Sequence, residues 1–358
     1  MREYADLTDD ETLPFPARSV ARVMRNLIKN VPIPVAGVAL GLAALGNLLQ
    51  SYTEIAHIAC GLLSLCLVAL LFAKIALFPR MIRDDLKNSI LASVSATLFM
   101  TLMQLASYLA PLIWHLAFAL WAAAVVCHLC LMVWFTARFI AHFKLSEVFP
   151  TYFICYVGII VASVTCPSFG MQAVGQALFW FGFACYLVLL VLVTTRYLKR
   201  EVPEAARPLF CIYTAPMSLS LAGYLSCMPH PNAAFVGALL VLAQILLVVV
   251  LLRLPLFMKL KFYPSFAAMT FPFVITATAL SKALAFFRDA GLIEAGMLSD
   301  ALGILLIAET GLACIMVVFV VAHYARFFWR SVAEPDDVSV KRERRLTAMI
   351  ARGLTGRR

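Results

Sequence analysis

The sequence predicts an all-helical membrane protein whose ten transmembrane helices form five parallel hairpins. Three observations predict this fold class: a high apolar content, basic residues concentrated in alternate connections, and a near-constant spacing of the apolar segments. Of the 358 residues, 63% are hydrophobic and only 13% are charged. Soluble domains are about half apolar and a quarter charged. At roughly 20 residues per membrane-spanning helix, this composition has room for about eleven spans at most.

The apolar residues form continuous runs, which decides between the two kinds of membrane architecture. A transmembrane β-barrel alternates apolar and polar residues along each strand, whereas a spanning helix is apolar throughout. The runs here are continuous, so helices are predicted. The ten segments cover residues 32–51, 55–78, 89–109, 113–137, 149–165, 171–195, 208–226, 233–252, 265–286 and 300–326.

The basic residues predict the direction of the spans. With ten segments, 27 of the 29 Lys and Arg residues fall on one side of the membrane, and only Lys282 and Arg288 fall on the other. The 27 include Lys74, at the end of the second segment, and Arg196, in the sixth connection. Loops rich in Lys and Arg stay in the cytoplasm. Both termini are therefore predicted to be cytoplasmic, in a multi-pass protein of the inner or plasma membrane. The net charge of +10 is explained in this way and needs no nucleic acid partner.

Three regions are predicted along the chain. Residues 1–31 form a cytoplasmic N-terminal segment, residues 32–327 a ten-helix membrane domain, and residues 328–358 a basic cytoplasmic tail. Within the first region, residues 18–29 place apolar and basic side chains on opposite faces of a helix. This pattern is typical of a helix that lies on an anionic membrane surface. A solvated helix ahead of the first span is the alternative.

The apolar segments repeat at a near-constant interval. The odd-numbered segments begin near residues 32, 89, 149, 208 and 265, at intervals of 57 to 60 residues. Near-constant intervals indicate architectural repeats. Each unit is two helices and a basic connection, so all five units point the same way and can close into a ring. Even spacing caused only by short loops is the alternative.

The odd segments also differ from the even ones in composition. Pro216 and Pro272 lie inside odd segments, and proline removes a backbone hydrogen bond and kinks a helix. Such kinks are tolerated in a bilayer where the backbone faces protein or a water-filled cavity. The small residues Gly37, Gly41 and Ser95 also belong to odd segments. They allow close helix packing or leave an axial passage open. One helix of each hairpin is therefore predicted to face a central axis.

Four stretches of the odd segments carry a family resemblance. They are PVAGVALGLAALGN at 34–47, RDDLKNSILASVSATL at 83–98, FPTYFICYVGIIVASV at 149–164 and SFAAMTFPFVITATAL at 265–280. The chain resembles the TehA-type tellurite-resistance and dicarboxylate transporter family, which is related to the plant slow anion channels of guard cells. The resemblance covers about 32–327. One departure is Asn88-Ser89, where family members often have proline before the third span.

The resemblance implies a fold and a function. The family fold is five helical hairpins around a quasi-fivefold central pore, assembled as a homotrimer, and members pass small inorganic or organic anions. A phenylalanine in the ninth span plugs the pore, and the run Thr270-Phe271-Pro272 places it at Phe271. Thr270, Pro272, Pro216, Gly37, Gly41, Ser95 and Gly158 are the other candidate pore-lining or kink residues. The alternative is that Phe271 has no gating role and is one of the many phenylalanines that pack in the core or face lipid.

The scarcity of charge in the odd segments favours a channel-like anion pathway. Lys282, near the outer end of the ninth segment, is the one charged side chain within them. A pathway without fixed charge binds an ion weakly enough for the ion to leave. Helix N-terminal ends at breaks carry partial positive charge and attract anions, and the basic cytoplasmic mouth adds a long-range field.

A proton-coupled transporter of small dicarboxylates or tellurite-like oxyanions is the alternative function. It needs a titratable group inside the membrane, and Glu309 in the tenth segment is the acidic side chain at real depth. A buried charge is a functional candidate by default. Glu309 and Lys282 are also predicted as a possible buried charge pair, which is the structural explanation for both.

Other sites have weaker support in the sequence. Cys127 and Cys130 lie one helical turn apart, as metal ligands can, and the histidines at 115, 128 and 142 have the spacing of a haem-binding helix. Either site needs partner ligands on another helix. No nucleotide-binding loop, catalytic dyad or paired carboxylate occurs in the sequence. The sequence therefore predicts neither an enzyme nor a bound metal or cofactor.

Overall fold

The structure is a computed structural model that describes residues 23–294 and 296–333 of the chain. The described residues form helices and irregular segments, with no β-strand among them. A short helix covers 23–29, so the second half of the predicted amphipathic helix 18–29 is helical. Residues 18–22 and most of the predicted C-terminal tail lie outside the described residues.

Ten main helices follow, each close to a predicted segment. They are α1 (Val35–Leu49), α2 (Glu54–Leu77), α3 (Ser89–Leu109), α4 (Trp114–Ile140), α5 (Thr151–Tyr156 continued by Gly158–Phe169), α6 (Gln172–Lys199), α7 (Glu204–Cys227), α8 (Ala233–Leu251), α9 (Pro264–Asp289) and α10 (Met297–Ala333). Predicted and observed ends differ by a few residues, except that α10 is longer at both ends than its predicted segment.

Eight helices in the described part of the chain are long and apolar enough to cross a membrane. The two others are shorter: α1 has 15 residues, and the apolar part of α5 is Gly158–Phe169. The chain is thus a multi-pass, all-helical membrane protein. The total of ten spans and the quasi-fivefold pore stay predictions at this point.

The odd-numbered helices form the inside of the protein and the even-numbered helices its outside. In the most apolar stretch of each helix, 67–83% of the residues are buried in α3, α7 and α9, against 28–33% in α2, α4, α6, α8 and α10. Nearly every residue of α1 is buried as well. Exposed apolar side chains on the even helices, such as Val188 and Val191, are suited to contact lipid tails.

Contacts among the odd helices close into a circuit. Helix α1 packs on α3, α3 on α5, α5 on α7, α7 on α9, and α9 returns to α1. The hydroxyl of Thr270 on α9 donates a hydrogen bond of 3.0 Å to the carbonyl oxygen of Gly37 on α1. This bond joins residues 233 positions apart and closes the circuit. Each even helix packs against the odd helix that precedes it, so the five units are hairpins.

Several hydrogen bonds connect neighbouring units at the interval of the sequence repeat. Asn47 donates to Gln104 across 57 residues, Ser93 to Thr151 across 58, and Ser265 to the carbonyl oxygen of Ala205 across 60. Residues one interval apart thus meet in space. The repeat interval of the sequence thus has a counterpart in three contacts between neighbouring units.

Four of the five odd helices are interrupted or change helix type, whereas α1 and most even helices are continuous. Ser95 separates two α-helical parts of α3, and a 3-10 turn at Gly158–Ile160 interrupts α5. Helices α7 and α9 begin as 3-10 helices and become α-helical at Ala215 and Phe271. Pro216 and Pro272 lie in the first turn of these α-helical parts. An N–H group in the first turn has no α-helical hydrogen bond to make, so the missing N–H of proline costs little there. The two prolines mark a change of helix type, which corrects the predicted kink within a continuous α-helix.

Candidate functional site

A cavity lies between the odd helices, in the half of the protein that contains their N-terminal ends. This half faces the membrane side that carries most of the basic residues, called here the basic side. The cavity encloses about 1210 Å³ of empty space, its open mouth included. All five odd helices contribute to its lining, and no even helix does.

The lining is apolar apart from a few groups, most of them near the mouth. The polar lining residues are Asp85, Asn88, Thr97, Tyr263 and Ser265. Of these, Thr97 lies deeper, and its hydroxyl donates to the carbonyl oxygen of Val94 in its own helix. Such a wall offers an ion little that binds it tightly.

The mouth is organised by short-range hydrogen bonds. Asn88 caps the first turn of α3, because its side-chain oxygen accepts from the backbone N–H groups of Ile90 and Leu91. The hydroxyl of Tyr263 donates to Glu204 at 2.7 Å. Burial raises the pKa of Tyr263, and the carboxylate of Glu204 raises it further, so the hydroxyl stays protonated and holds α7 to α9.

Phe271 lies in the cavity wall at the point where α9 changes from a 3-10 helix to an α-helix. Its side chain is 6% exposed, and Pro272 lines the cavity next to it. Thr270, just before it, has backbone angles φ −108° and ψ −87°, which fit neither helix. The chain therefore turns a corner at Thr270, and this corner presents Phe271 to the cavity.

Helix α1 supports this corner by close approach. A Cβ atom at Gly41 would lie 2.5 Å from the Cβ of Thr270 and 3.1 Å from the backbone nitrogen of Phe271. Gly41 does not line the cavity; its missing side chain lets the corner of α9 sit against α1. Thr270 does not line the cavity either, since its hydroxyl is engaged by the carbonyl oxygens of Gly37 and Ala267.

Of the other predicted pore residues, most line the cavity and one does not. Gly37, Gly158 and Pro216 line the cavity with Phe271 and Pro272. Gly158 also leaves room for Met100, whose sulfur would lie 2.6 Å from a Cβ at 158. Ser95 is absent from the lining; its hydroxyl donates to the carbonyl oxygen of Ala92 and it marks the break in α3.

Helix starts surround the cavity. Residues in the first α-helical turn of α1, α7 and α9 and in the second part of α3 line it, and none of these four α-helical starts has a side-chain cap. The first N–H groups of an α-helix lack partners within the helix and carry partial positive charge. The wall of the cavity thus carries one ionisable side chain, that of Asp85, and the positive ends of helix dipoles surround it.

The predicted charge pair is not formed. The ion pairs within 4.0 Å in the described residues are Lys74–Asp85, Lys87–Asp84 and Lys144–Glu147, and none contains Lys282 or Glu309. Glu309 is 4% exposed, and neither carboxylate oxygen has a hydrogen-bond partner. The side chain of Gln244 on α8 lies beside it. Glu309 is thus turned toward a polar neighbour on another even helix and away from the cavity.

The weaker candidate sites have ordinary structural surroundings. His128 is fully buried, and its Nε2 forms a hydrogen bond of 2.9 Å with the carbonyl oxygen of Cys155, close to the break in α5. Cys127 and Cys130 are exposed on α4. Within residues 23–294 and 296–333, no three His, Cys, Asp or Glu side chains gather as metal ligands would.

The comparison with protein families decides the affiliation of the chain. The family SLAC1, described as voltage-dependent anion channel, matches residues 30–331. The chain belongs to this family. The match covers all ten helices, and the family is one of channels rather than enzymes. A search of curated proteins finds no match.

Sequence reasoning missed two buried cations near the cavity, Lys74 and Arg196. Lys74 lies at the end of the predicted second segment and Arg196 in the predicted sixth connection, yet both are nearly inaccessible, with exposures of 0% and 2%. For Lys74 the signal in the sequence is its place inside the predicted segment 55–78. Arg196 carries no such signal, because it becomes helical only where the observed α6 extends to Lys199.

Proposed function

We propose that this protein conducts small anions through the cavity between its odd helices and that Phe271 is the gate. The observation that carries the proposal is the position of Phe271. It sits at the corner of α9, in the wall of a cavity to which all five odd helices contribute. A large apolar ring at this depth excludes water and ions until it moves.

The chemistry of the wall supports conduction. Apolar side chains do not hold an anion tightly, and the surrounding helix starts favour negative charge over positive. Together they allow an anion to enter without trapping it. The family description, voltage-dependent anion channel, is in keeping with this kind of transport.

The architecture of the proposal is a set of ten spans in five parallel hairpins around a quasi-fivefold pore. The circuit of contacts among the odd helices and the hydrogen bonds at the repeat interval support it. The proposed orientation has both termini and the cavity mouth in the cytoplasm, since the basic side retains Lys and Arg. The homotrimer and the passage of dicarboxylates or tellurite-like oxyanions are proposed from the family resemblance alone.

The test is anion conductance of the purified protein in planar bilayers. Phe271→Ala is expected to raise the chloride conductance at least severalfold, because the constriction loses its ring. Phe273→Ala is the matched control: it removes a buried ring two residues away that does not line the cavity. Equal conductance of wild type and Phe271→Ala would remove Phe271 from the gate role.

A proton-coupled transporter is the second candidate, and Glu309 favours it. A carboxylate that is buried without a hydrogen-bond partner is a candidate to bind and release a proton in a membrane. The test is anion flux into liposomes with and without a proton gradient. If the protein is a carrier, anion flux requires the proton gradient, and the flux of the Glu309→Gln variant no longer depends on it. Flux that is independent of the gradient supports the channel.

A further inference from the structure

The described part of the protein contains a buried cation without a counter-ion, and this cation lies close to the cavity. Arg196, in the last turn of α6, is 2% exposed. Its Nη1 donates to the carbonyl oxygen of Arg200 at 3.3 Å, and its Nε has no hydrogen-bond partner. Burial of a charge is unfavourable unless the charge is paired and fully hydrogen-bonded. The surroundings of Arg196 therefore need an explanation.

Aromatic rings take the place of a carboxylate around Arg196. Its guanidinium carbon lies 4.3 Å from the ring centroid of Phe149 and 5.5 Å from that of Tyr197. None of the ion pairs formed by the described residues includes it. The polar groups that face it are the hydroxyls of Tyr197 and Tyr213 and the cation of Arg200. Ring faces stabilise a cation without cancelling its charge.

Lys74 provides the contrast. It too is buried, on the basic side of α2, but its ammonium donates to the carbonyl oxygen of Val31 at 2.5 Å and lies 4.0 Å from a carboxylate oxygen of Asp85. Two buried cations therefore flank the cavity region. The charge of Lys74 is balanced by a neighbouring carboxylate, whereas no carboxylate of the residues 23–294 and 296–333 pairs with Arg196.

The rings of Tyr213 and Phe153 lie between Arg196 and the cavity. Tyr213 faces the guanidinium, and its ring lies 5.6 Å from that of Phe153, which lines the cavity. Leu209 and Ile212, from the same 3-10 segment as Tyr213, line it as well. Between a buried charge and an apolar cavity there is little water, so the field is strong and salt screens it weakly.

We propose that Arg196 is a specificity-determining residue whose uncompensated charge makes the basic-side half of the pathway attract anions and repel cations. The inference rests on the proposed function, since it concerns the same cavity. Arg196 does not touch the ion. It acts through space, so the wall remains apolar and the anion remains free to leave.

The competing explanation is that Arg196 only stabilises the end of α6. A cation near a helix C-terminus interacts favourably with the helix dipole, and the bond to Arg200 is of this kind. A capping role affects the amount of folded protein. It leaves the permeability ratio of anions to cations unchanged, and this ratio is the readout that separates the two roles.

The experiment measures reversal potentials across planar bilayers in a potassium chloride gradient. Arg196→Gln is expected to lower the chloride-to-potassium permeability ratio by about tenfold, because one charge in a medium of intermediate polarity favours the anion and disfavours the cation. Arg196→Lys is expected to keep the ratio, since it keeps the charge. Arg253→Gln is the control: it removes an exposed arginine from the basic side and is expected to change little. A wild-type ratio in Arg196→Gln would overturn the proposal.

A second pair of variants keeps the buried arginine in place in case Arg196→Gln does not fold. Arg200 is exposed one turn away, and Arg200→Glu places a carboxylate within reach of the guanidinium. This variant is expected to lower the permeability ratio more than Arg253→Glu, which makes the same change in charge at an exposed site. Equal effects of the two would contradict the proposal.

The outcomes also separate this inference from the proposed function. If the wild-type protein passes no anion in bilayers or liposomes, the proposed function fails. If the wild-type protein passes anions and all Arg196 and Arg200 variants keep its permeability ratio, the proposed function stands and the role of Arg196 fails.

Discussion

The odd and even helices of this protein are both rich in apolar residues, but they differ in burial and in the regularity of their backbone. Helices α2, α6, α8 and α10 run without interruption, and most of their surface is exposed. In lipid, a continuous α-helix satisfies its backbone internally and needs no partner. The odd helices are mostly buried, and four of them contain 3-10 turns or breaks, because neighbouring helices satisfy the backbone groups that a break releases. Four of the helices that line the cavity thus have irregular backbone, whereas among the even helices only α4 departs from the α-helix, in the π-helical segment Thr136–Ile140.

The largest loss of stability is expected where two odd helices, α1 and α9, approach each other closely. Gly41→Ala places a methyl group 2.5 Å from the Cβ of Thr270, so the corner of α9 must move away from α1. Overpacking of this kind costs about 1–3 kcal/mol. We expect a lower thermal midpoint in detergent and altered anion conductance, since Phe271 follows Thr270.

Gly303→Ala is the control for this glycine. It makes the same change on the even helix α10, where no atom lies within 4 Å of the new methyl group. Alanine favours the helix by up to about 1 kcal/mol, so the thermal midpoint is expected to stay or rise. A similar decrease of the thermal midpoint in both variants would show that the odd and even helices tolerate an added methyl group equally.

A smaller effect is expected from a hydrogen bond that joins two odd helices. Thr270→Val removes the bond between α9 and the carbonyl oxygen of Gly37 while keeping the shape of the side chain. The loss of one such bond costs roughly 0.5–1.5 kcal/mol. The measurement is a denaturation curve, followed by comparison with Thr278→Val. Thr278 donates only within its own helix, so its variant is expected to lose less.

The smallest effect is expected on the outer face of an even helix. Val191 on α6 is 69% exposed. Val191→Ala removes methyl groups that face lipid tails, and substitutions away from packed features change stability by about 0.5 kcal/mol or less. A loss above about 2 kcal/mol, the range of buried apolar truncations, would indicate that this face is covered by protein, for example by another subunit.

Much of this fold was predictable from local features. The ends of nine predicted segments agree with the observed helices within a few residues, since apolar runs bounded by basic residues define helices in a bilayer. The repeat interval also has a direct counterpart in the hydrogen bonds between neighbouring units. Both properties depend on residues close in sequence or on one regular interval.

Features that depend on contact between distant residues were less predictable. Pro216 and Pro272 indicated irregular backbone but not its form, because the change from 3-10 to α-helix depends on what packs beside it. Gly41 was predicted as pore-lining, whereas its contact with Thr270 becomes visible only when α1 and α9 are adjacent. Lys282 and Glu309 both lie within predicted segments, yet this position alone does not tell which way each side chain turns.

The bond between Thr270 and Gly37 has a consequence for biosynthesis. It joins residues 233 positions apart, so α1 leaves the ribosome long before its second neighbour on the circuit exists. At common rates of translation the delay is on the order of tens of seconds. During this time the small-residue face of α1 that later receives α9 has no partner of its own chain. The insertion machinery or lipid must cover this face until the fifth hairpin has been synthesised and α9 packs against α1.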